Sequence, residues 1–238
     1  MNLSVVLAGR NDEYGGGNYL ARMNRCLDSV VPLGCEIIFI EWNPPPDRPT
    51  LRKVITHQGI RLITVTNDVH NWQHGSELMP MFEYRAKNVG IRRATGDWIL
   101  VMNSDIELTE PMRKRLRGEL EPLCAYSAKR HDVHLGAIVD VVEGPGDFVL
   151  MAREEWHILR GYLDLVSYTH IDSLLWWTAI HFGIKKKMLS EYVIHQDHDR
   201  SDHKARWGIH SSDMPRFIGQ RNDESWGLNG VTLSETMT

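Results

Sequence analysis

The segment from Arg85 to Glu107 constrains the fold of this chain more than any other. Ala86, Val89, Ile91 and Ala94 recur on or near one helical face, and Gly96 follows as a C-terminal stop. The apolar run from Trp98 to Met102 then reads as a buried strand, with Asn103, Asp105 and Glu107 directly at its end. Oxygen ligands at the carboxyl end of a central strand are what an α/β protein needs to hold a divalent cation and a phosphate. An ordinary αβ turn, whose polar residues cap the next helix, would look the same over so short a stretch. The flanking chain has to decide.

Three more strand candidates precede this segment. Leu3 to Ala8 leads into Gly9-Arg10-Asn11-Asp12, Glu36 to Ile40 into Glu41-Trp42-Asn43 and three prolines, and Ile60 to Val65 towards Asn67-Asp68. A helix is predicted over 19–31, with Leu20, Met23, Leu27 and Val30 or Val31 at helical spacing, and a weaker one after Pro49. Strands alternating with helices predict βαβ units, a mostly parallel sheet and helices on both faces. In such a sheet the polar strand ends at Arg10–Asp12, Glu41, Asn67/Asp68 and Asn103/Asp105 share one edge, where ligands of open α/β proteins bind. One polar end is routine loop composition; four in succession predict a site.

With 238 residues, 42% of them hydrophobic and 24% charged, the chain is sized for one large α/β domain or a domain with a small appendage. Its formal net charge of −4 argues against broad electrostatic binding to nucleic acid. Cys26, Cys35 and Cys124 have no metal-type spacing and read as small hydrophobes in a reducing compartment. No signal-type apolar segment precedes the first strand, and no apolar stretch approaches the roughly 20 residues of a membrane-spanning helix. A cytoplasmic location without a transmembrane segment is therefore expected. Several of the eight tryptophans sit beside polar residues, where they suit stacking on sugars or nucleobases as well as core packing.

The second half reads differently. A helix is predicted over 110–123, with Pro111 in its first turn. Strands are predicted from Leu123 to Ser127 and from Leu135 to Val142, separated by Lys129-Arg130-His131-Asp132. Gly144-Pro145-Gly146-Asp147 reads as a turn, Phe148 to Ala152 as a short strand, and 153–162 and 171–182 as helices. Lys185 to Lys187 are expected at the last helix's C-terminus, where cations are favoured. Val193-Ile194 leads into His195-Gln196-Asp197-His198-Asp199, and residues 206–238, rich in Ser, Asp, Asn and Gly, are expected to form a loosely packed tail or lid. No repeat or linker separates independent domains. Gly15-Gly16-Gly17 lacks the Lys-Ser/Thr of a phosphate loop and reads as a plain turn or a mobile flap.

Residues 3–12, 36–43 and 85–107 together resemble the nucleotide-sugar half of GT-A glycosyltransferases, particularly family 2. That family's Arg/Lys-Asn-x-Gly helix, Ala-x-Gly-Asp/Glu stop, apolar strand and D-x-D-like motif correspond here to Lys87-Asn88-Val89-Gly90, Ala94-Thr95-Gly96-Asp97, Trp98 to Met102 and Asn103-Ser104-Asp105. The resemblance spans roughly residues 3–200, densely to 110 and thinly afterwards. It implies a GT-A type, Rossmann-like α/β fold with a smaller acceptor-side portion. The single domain would divide into a nucleotide-sugar half (1–110), an acceptor and catalytic half (111–205) and the tail (206–238). Asn103 departs from the pattern, because it stands where the family carries the first Asp of D-x-D. Asn still accepts a hydrogen bond but brings one negative charge fewer, which weakens metal binding.

The resemblance further implies transfer of a sugar from a nucleoside diphosphate sugar to a hydroxyl of a glycan or other acceptor, with inversion. Asp105 would hold Mn²⁺ or Mg²⁺, completed by His195 or, as second candidate, His198; Asp105 with Glu107 is an alternative metal register. An imidazole ligand tilts the preference towards Mn²⁺. Asp172 matches the position of the family's general base, with Asp147 as competitor, although an Asp near a helix N-terminus is favourable without any chemistry. Ala8, Arg10, Glu41 and Asp68 fall where the family contacts the nucleotide, and Lys87, Asn88, Asn103 and Ser104 lie within its motifs. Of Trp176 and Trp177, one is expected in the core and the other, Trp177, stacked on the acceptor.

Three other activities compete. A metallohydrolase would be built on His195, Asp197, His198 and Asp199, but leaves the acids after Met102 without a role. A non-catalytic nucleotide-sugar-binding module would accommodate Asn103. A nucleotidyltransferase would use a similar sheet edge and metal, and its expected Gly-rich loop with a basic residue is weak here.

Overall fold

In the computed structural model, which describes residues 2–198 and 208–238, the first strand β1 (Leu3–Gly9) is buried at every position. It lies between two parallel neighbours, β2 (Glu36–Trp42) and β4 (Trp98–Met102), and β3 (Ile60–Val65) adds a fourth parallel strand beyond β2. These strands read as near-continuous apolar runs because helices cover both of their faces. On one face α1 (Tyr19–Val30) places Met23, Cys26 and Leu27 against Val5, Leu7, Ile37 and Phe39. On the other, α4 (Glu83–Arg93) places Ala86, Val89 and Ile91 against Val6, Ile38 and Ile40. A Cβ on Gly90 would lie 2.4 Å from Val6 Cγ1, so this helix crosses β1 at a distance that only glycine allows. Two short helices, α2 (Leu51–Val54) and α3 (Asn67–Asn71), fill the connections around β3.

The second half extends the sheet with mixed pairing. It comprises β5 (Ile106–Leu108), α5 (Glu110–Arg115), β6 (Cys124–His134), β7 (Ala137–Glu143), β8 (Phe148–Ala152), α6 (Arg153–Leu159), α7 (Ile171–His181), β9 (Lys185–Gln196) and β10 (Ser234–Met237). The strand order is β10-β3-β2-β1-β4-β8-β6-β9-β5, with β7 paired to β6. The predicted parallel arrangement thus holds for β3-β2-β1-β4 and recurs in the β6–β9 pair, while β8, β5, β7 and β10 pair antiparallel. No helix among the described residues is long and apolar enough to cross a membrane. Cys26, Cys35 and Cys124 are all free thiols.

Several boundaries differ from the sequence expectation. Lys129–Asp132 is not a break, because β6 runs straight through it, flanked by β7 and β9. The hairpin turns instead at Leu135-Gly136, both at positive φ (49° and 84°), the two-residue geometry that suits strand twist. Lys185–Lys187 opens β9 rather than capping α7; Lys187 pairs with Glu121, and the Lys186 ammonium lies 4.5 Å from the centre of the Trp176 ring. The helix predicted over 110–123 ends at Arg115.

Part of the expected tail or lid, 206–238, is tied to the sheet. β10 pairs antiparallel with β3, Trp226 is buried, and the Arg93 guanidinium donates to the carbonyls of Gly227 and Leu228. Asp199 and the expected boundary near 205/206 lie outside the described residues.

Candidate active site

The carboxyl ends of β1 and β4 open into a cavity of about 810 Å³, inside the roughly 300–1,000 Å³ range of ligand pockets. Ala8, Gly9 and Arg10 continue β1 into it, and Asn103, Ser104 and Asp105 continue β4. The 12–16 loop, Pro80 to Tyr84, the turn ending at Asp147 and the Tyr168–Asp172 approach to α7 complete its walls. Gly9 makes room under the strand end, since a Cβ there would sit 1.7 Å from the Tyr19 hydroxyl. That hydroxyl is 3.2 Å from Ser104 Oγ, which fixes the start of the loop carrying Asp105.

At one end of the cavity Asp105 meets two imidazoles. Its Oδ2 lies 3.1 Å from His198 Nε2 and 3.7 Å from His195 Nε2. The three side chains each offer one ligand atom, all within 4.8 Å of one another. Donors bound about 2.1 Å from a shared ion stand roughly 3.0–3.5 Å apart, so small adjustments would close the cluster around a cation. Asp105 Oδ1 is buried and finds no hydrogen-bond partner among the described residues, which a cation would relieve. One carboxylate and two imidazoles suit a borderline divalent ion such as Mn²⁺ better than Mg²⁺.

The electrostatics keep Asp105 ionised and pair it with the imidazoles. Burial by itself would raise the Asp105 carboxyl, but hydrogen bonds from His195 and His198 outweigh it and hold the group well below the usual carboxylate range. Burial likewise disfavours a charged His195, and its contact with Asp105 more than offsets this, so the imidazole's pKa is raised. Glu107 stays apart from the cluster: it lies in β5 opposite Ile194, and burial raises its carboxyl.

Asp172, in the first turn of α7, also lines the cavity. The preceding residue pair includes His170 at φ 64°, a left-handed conformation that directs the chain into the helix. Asp172 is half-buried, lines the cavity and has no hydrogen bond or ion pair among the described residues. Asp147, its competitor, is committed instead: its carboxylate forms an ion pair with Arg130.

Solved structures share this architecture. The mannosyltransferase PcManGT from Pyrobaculum calidifontis, in complex with GDP-Man and Mn²⁺, matches with a TM-score of 0.57 and 14% identity over 84% of this chain and 58% of its own. TarS 1–349 from S. aureus in complex with UDP-GlcNAc matches with a TM-score of 0.61 and 12% identity, covering 91% of this chain and 64% of that one. A second TarS 1–349 structure gives 0.54 and 12%, over 82% and 60%. The chain has a GT-A-like glycosyltransferase fold. It spans about three-fifths of the length of these structures. No protein-family model and no curated protein sequence matches it.

Of the residues singled out in the sequence, the cavity gathers Ala8, Arg10, Asn103, Ser104, Asp105, Asp147 and Asp172, with His195 and His198 against Asp105. Arg10 donates to the Pro80 carbonyl at 2.6 Å and faces Asp12 at 3.2 Å, so it ties the β1 end to the 80–84 wall. Asn103 accepts from Lys87 Nζ at 2.6 Å. Lys87 is itself buried, does not line the cavity and reaches it through two lining residues, Glu83 and Asn103.

Others fall outside the cavity. Glu41 is fully buried and accepts from the Leu51 amide and the Thr64 hydroxyl, holding α2 and β3 against β2. Asn88 exchanges two 2.8 Å hydrogen bonds with the Tyr162 backbone and locks α4 to the chain after α6. Asp68 is exposed on α3. Of the tryptophan pair, Trp176 is buried and Trp177 is exposed, but Trp177 does not line the cavity.

The sequence reading missed Tyr14, Tyr84, Tyr168 and Arg130, all of which line the cavity. The tyrosines arrive from loops and a helix start with no periodic signal. Arg130 was hidden because its polar surroundings looked like a turn.

Proposed function

We propose that this chain transfers a sugar from a nucleoside diphosphate sugar to a hydroxyl of a glycan or other acceptor, with inversion, using a divalent cation. The observation that carries this reading is the Asp105–His195–His198 cluster at the strand-end cavity of a GT-A-like sheet. Support comes from the neighbours, since PcManGT was solved with GDP-Man and Mn²⁺ and TarS with UDP-GlcNAc.

Asp105, His195 and His198 would hold Mn²⁺, or less favourably Mg²⁺, which when bound neutralises charge on the departing diphosphate. The protein's own groups do the rest. Ala8, Arg10 and Ser104 line the donor side, with Arg10 held in place by Pro80 and Asp12. Asp172, an uncommitted carboxylate of the cavity wall, takes the proton from the acceptor hydroxyl as that oxygen attacks the sugar carbon opposite the leaving group. Tyr14, Tyr84 and Tyr168 complete the cavity wall.

A hydrolase built on the 195–199 run is disfavoured, because Asp197 pairs with His134 rather than joining the cluster. The three free cysteines support a cytoplasmic location.

The test is release of nucleoside diphosphate from a panel of nucleotide sugars, with Mn²⁺ and with chelator. Release from one donor that requires the metal and disappears in Asp172→Asn supports transfer. Activity on phosphoesters with none on nucleotide sugars overturns it.

A further inference from the structure

The strand interior at Lys129–Asp132 conflicts with its own propensity, and such conflicts mark functional positions. β6 holds Arg130 and Asp132 there, and Asp132 lies directly opposite His195 in the parallel register with β9. Asp132 is only 1% exposed. Its Oδ1 lies 3.2 Å from His195 Nδ1, on the far side of the ring from the Nε2 that faces Asp105. Arg130 grips the Asp132 carboxylate with two prongs, Nε to Oδ1 at 2.7 Å and Nη2 to Oδ2 at 3.0 Å, while its Nη1 pairs with Asp147 in the cavity wall. A lysine could not make these three directed contacts.

We propose that Asp132, clamped by Arg130, is the positioning residue for His195. The ring's Nδ1 is buried, makes no hydrogen bond among the described residues and has the Asp132 carboxylate 3.2 Å away, so a small turn of the ring lets Asp132 accept the Nδ1 proton and leaves the Nε2 lone pair for the cation. A carboxylate behind a metal-binding histidine fixes the ring's tautomer and raises its basicity. Burying a charged carboxylate in a sheet is costly unless it is paired, and Arg130 supplies that pairing. The inference rests on the metal reading of the site, and its test separates the two.

The experiment is a Mn²⁺ titration, read as free Mn²⁺ by electron paramagnetic resonance, on the wild type, Asp132→Asn, His195→Asn and the double variant. Asp132→Asn is expected to weaken Mn²⁺ binding about 10- to 100-fold. Combined with His195→Asn it adds no further loss, because Asp132 acts only through that ring. Wild-type affinity in Asp132→Asn, or the same fold-loss with and without His195, overturns the proposal and leaves the metal site standing. No Mn²⁺ binding by the wild type overturns the metal site itself and this inference with it. Should Asp132→Asn fail to fold, Arg130→Lys is titrated in the same two backgrounds: a loss confined to the His195-containing chain supports the proposal, and none or an equal loss in both overturns it.

Discussion

A methyl group on Gly146 would sit 2.0 Å from the Cβ of Asp172. The turn at 144–147 closes on the start of α7 with no space for a side chain between them, so the backbone of one loop sets where the proposed base can stand. Gly146→Ala is therefore expected to push Asp172 or the turn out of place. Misplacement of a reacting group by an ångström costs about 10²-fold in rate. Turnover should fall by that order while Mn²⁺ affinity is unchanged; steady-state kinetics beside a metal titration check both.

The two carboxylates of the cavity should separate cleanly. Asp172→Asn removes an uncommitted base and is expected to lower kcat by about 10²–10⁴-fold with donor binding retained. Asp147→Asn breaks a buried ion pair with Arg130, which keeps its two bonds to Asp132, and is expected to cost about 1.5–3 kcal/mol of stability. Denaturant unfolding and kcat, measured on both variants, should show the first effect in rate and the second in stability.

Gly15 carries a side-chain-free stretch of loop across the metal cluster. It has φ 69°, and a Cβ there would lie 2.6 Å from both Arg22 Nη2 and His198 Nδ1. Gly15→Ala is expected to displace His198 and weaken Mn²⁺ binding severalfold. Gly17 shares the positive φ, at 86°, but has nothing within 4 Å of such a Cβ. Gly17→Ala should show only the backbone cost of about 1–2 kcal/mol, with Mn²⁺ affinity intact. Parallel titrations of the two variants separate the clash from the strain.

Far from the cavity, Glu36 staples the start of β2 to the stop after α4. Burial would raise its carboxyl, but hydrogen bonds from Ser4 and from the Thr95 amide and hydroxyl, with Arg61 beside it, bring it below its ordinary value. A lowered folded-state value stabilises the fold above the unfolded pKa of about 4.3 and loses that contribution as pH falls through the folded value. Glu36→Gln is expected to cost about 1–3 kcal/mol at pH 7, with the gap to wild type narrowing in acid. Unfolding curves at pH 7 and at pH 3 check the sign.

The parallel strands were legible because Val5, Ile38, Leu62 and Leu100 belong to buried apolar runs. Gly96, expected as the helix stop, instead lies beyond the α4 C-cap at Ala94 and packs against Ser4, where a Cβ would sit 2.6 Å from the Ser4 nitrogen. The strand-end residues Arg10, Asn103 and Asp105 followed from that pattern, as strand ends of a parallel sheet must share an edge. Glu41 and Asn88 show the limit. Each is polar at the expected place, yet each turns inward to satisfy backbone groups, and no local pattern distinguishes a ligand-facing oxygen from one that caps a loop. The strand through Lys129–Asp132 was hidden for a related reason: Arg130 and Asp132 pair with each other, and Arg130 also with Asp147, contacts that only the folded sheet reveals. The closing strand β10 is a four-residue exposed edge without alternation, so only its pairing with β3 reveals it.

The most direct test of the account is calorimetric titration of UDP and GDP into the wild type and Asp105→Asn, each with Mn²⁺ and with chelator. The account predicts that one nucleoside diphosphate binds the wild type only when Mn²⁺ is present, and that Asp105→Asn abolishes this binding. Equal affinity with chelator, or in Asp105→Asn, would contradict a metal-centred site at Asp105, His195 and His198.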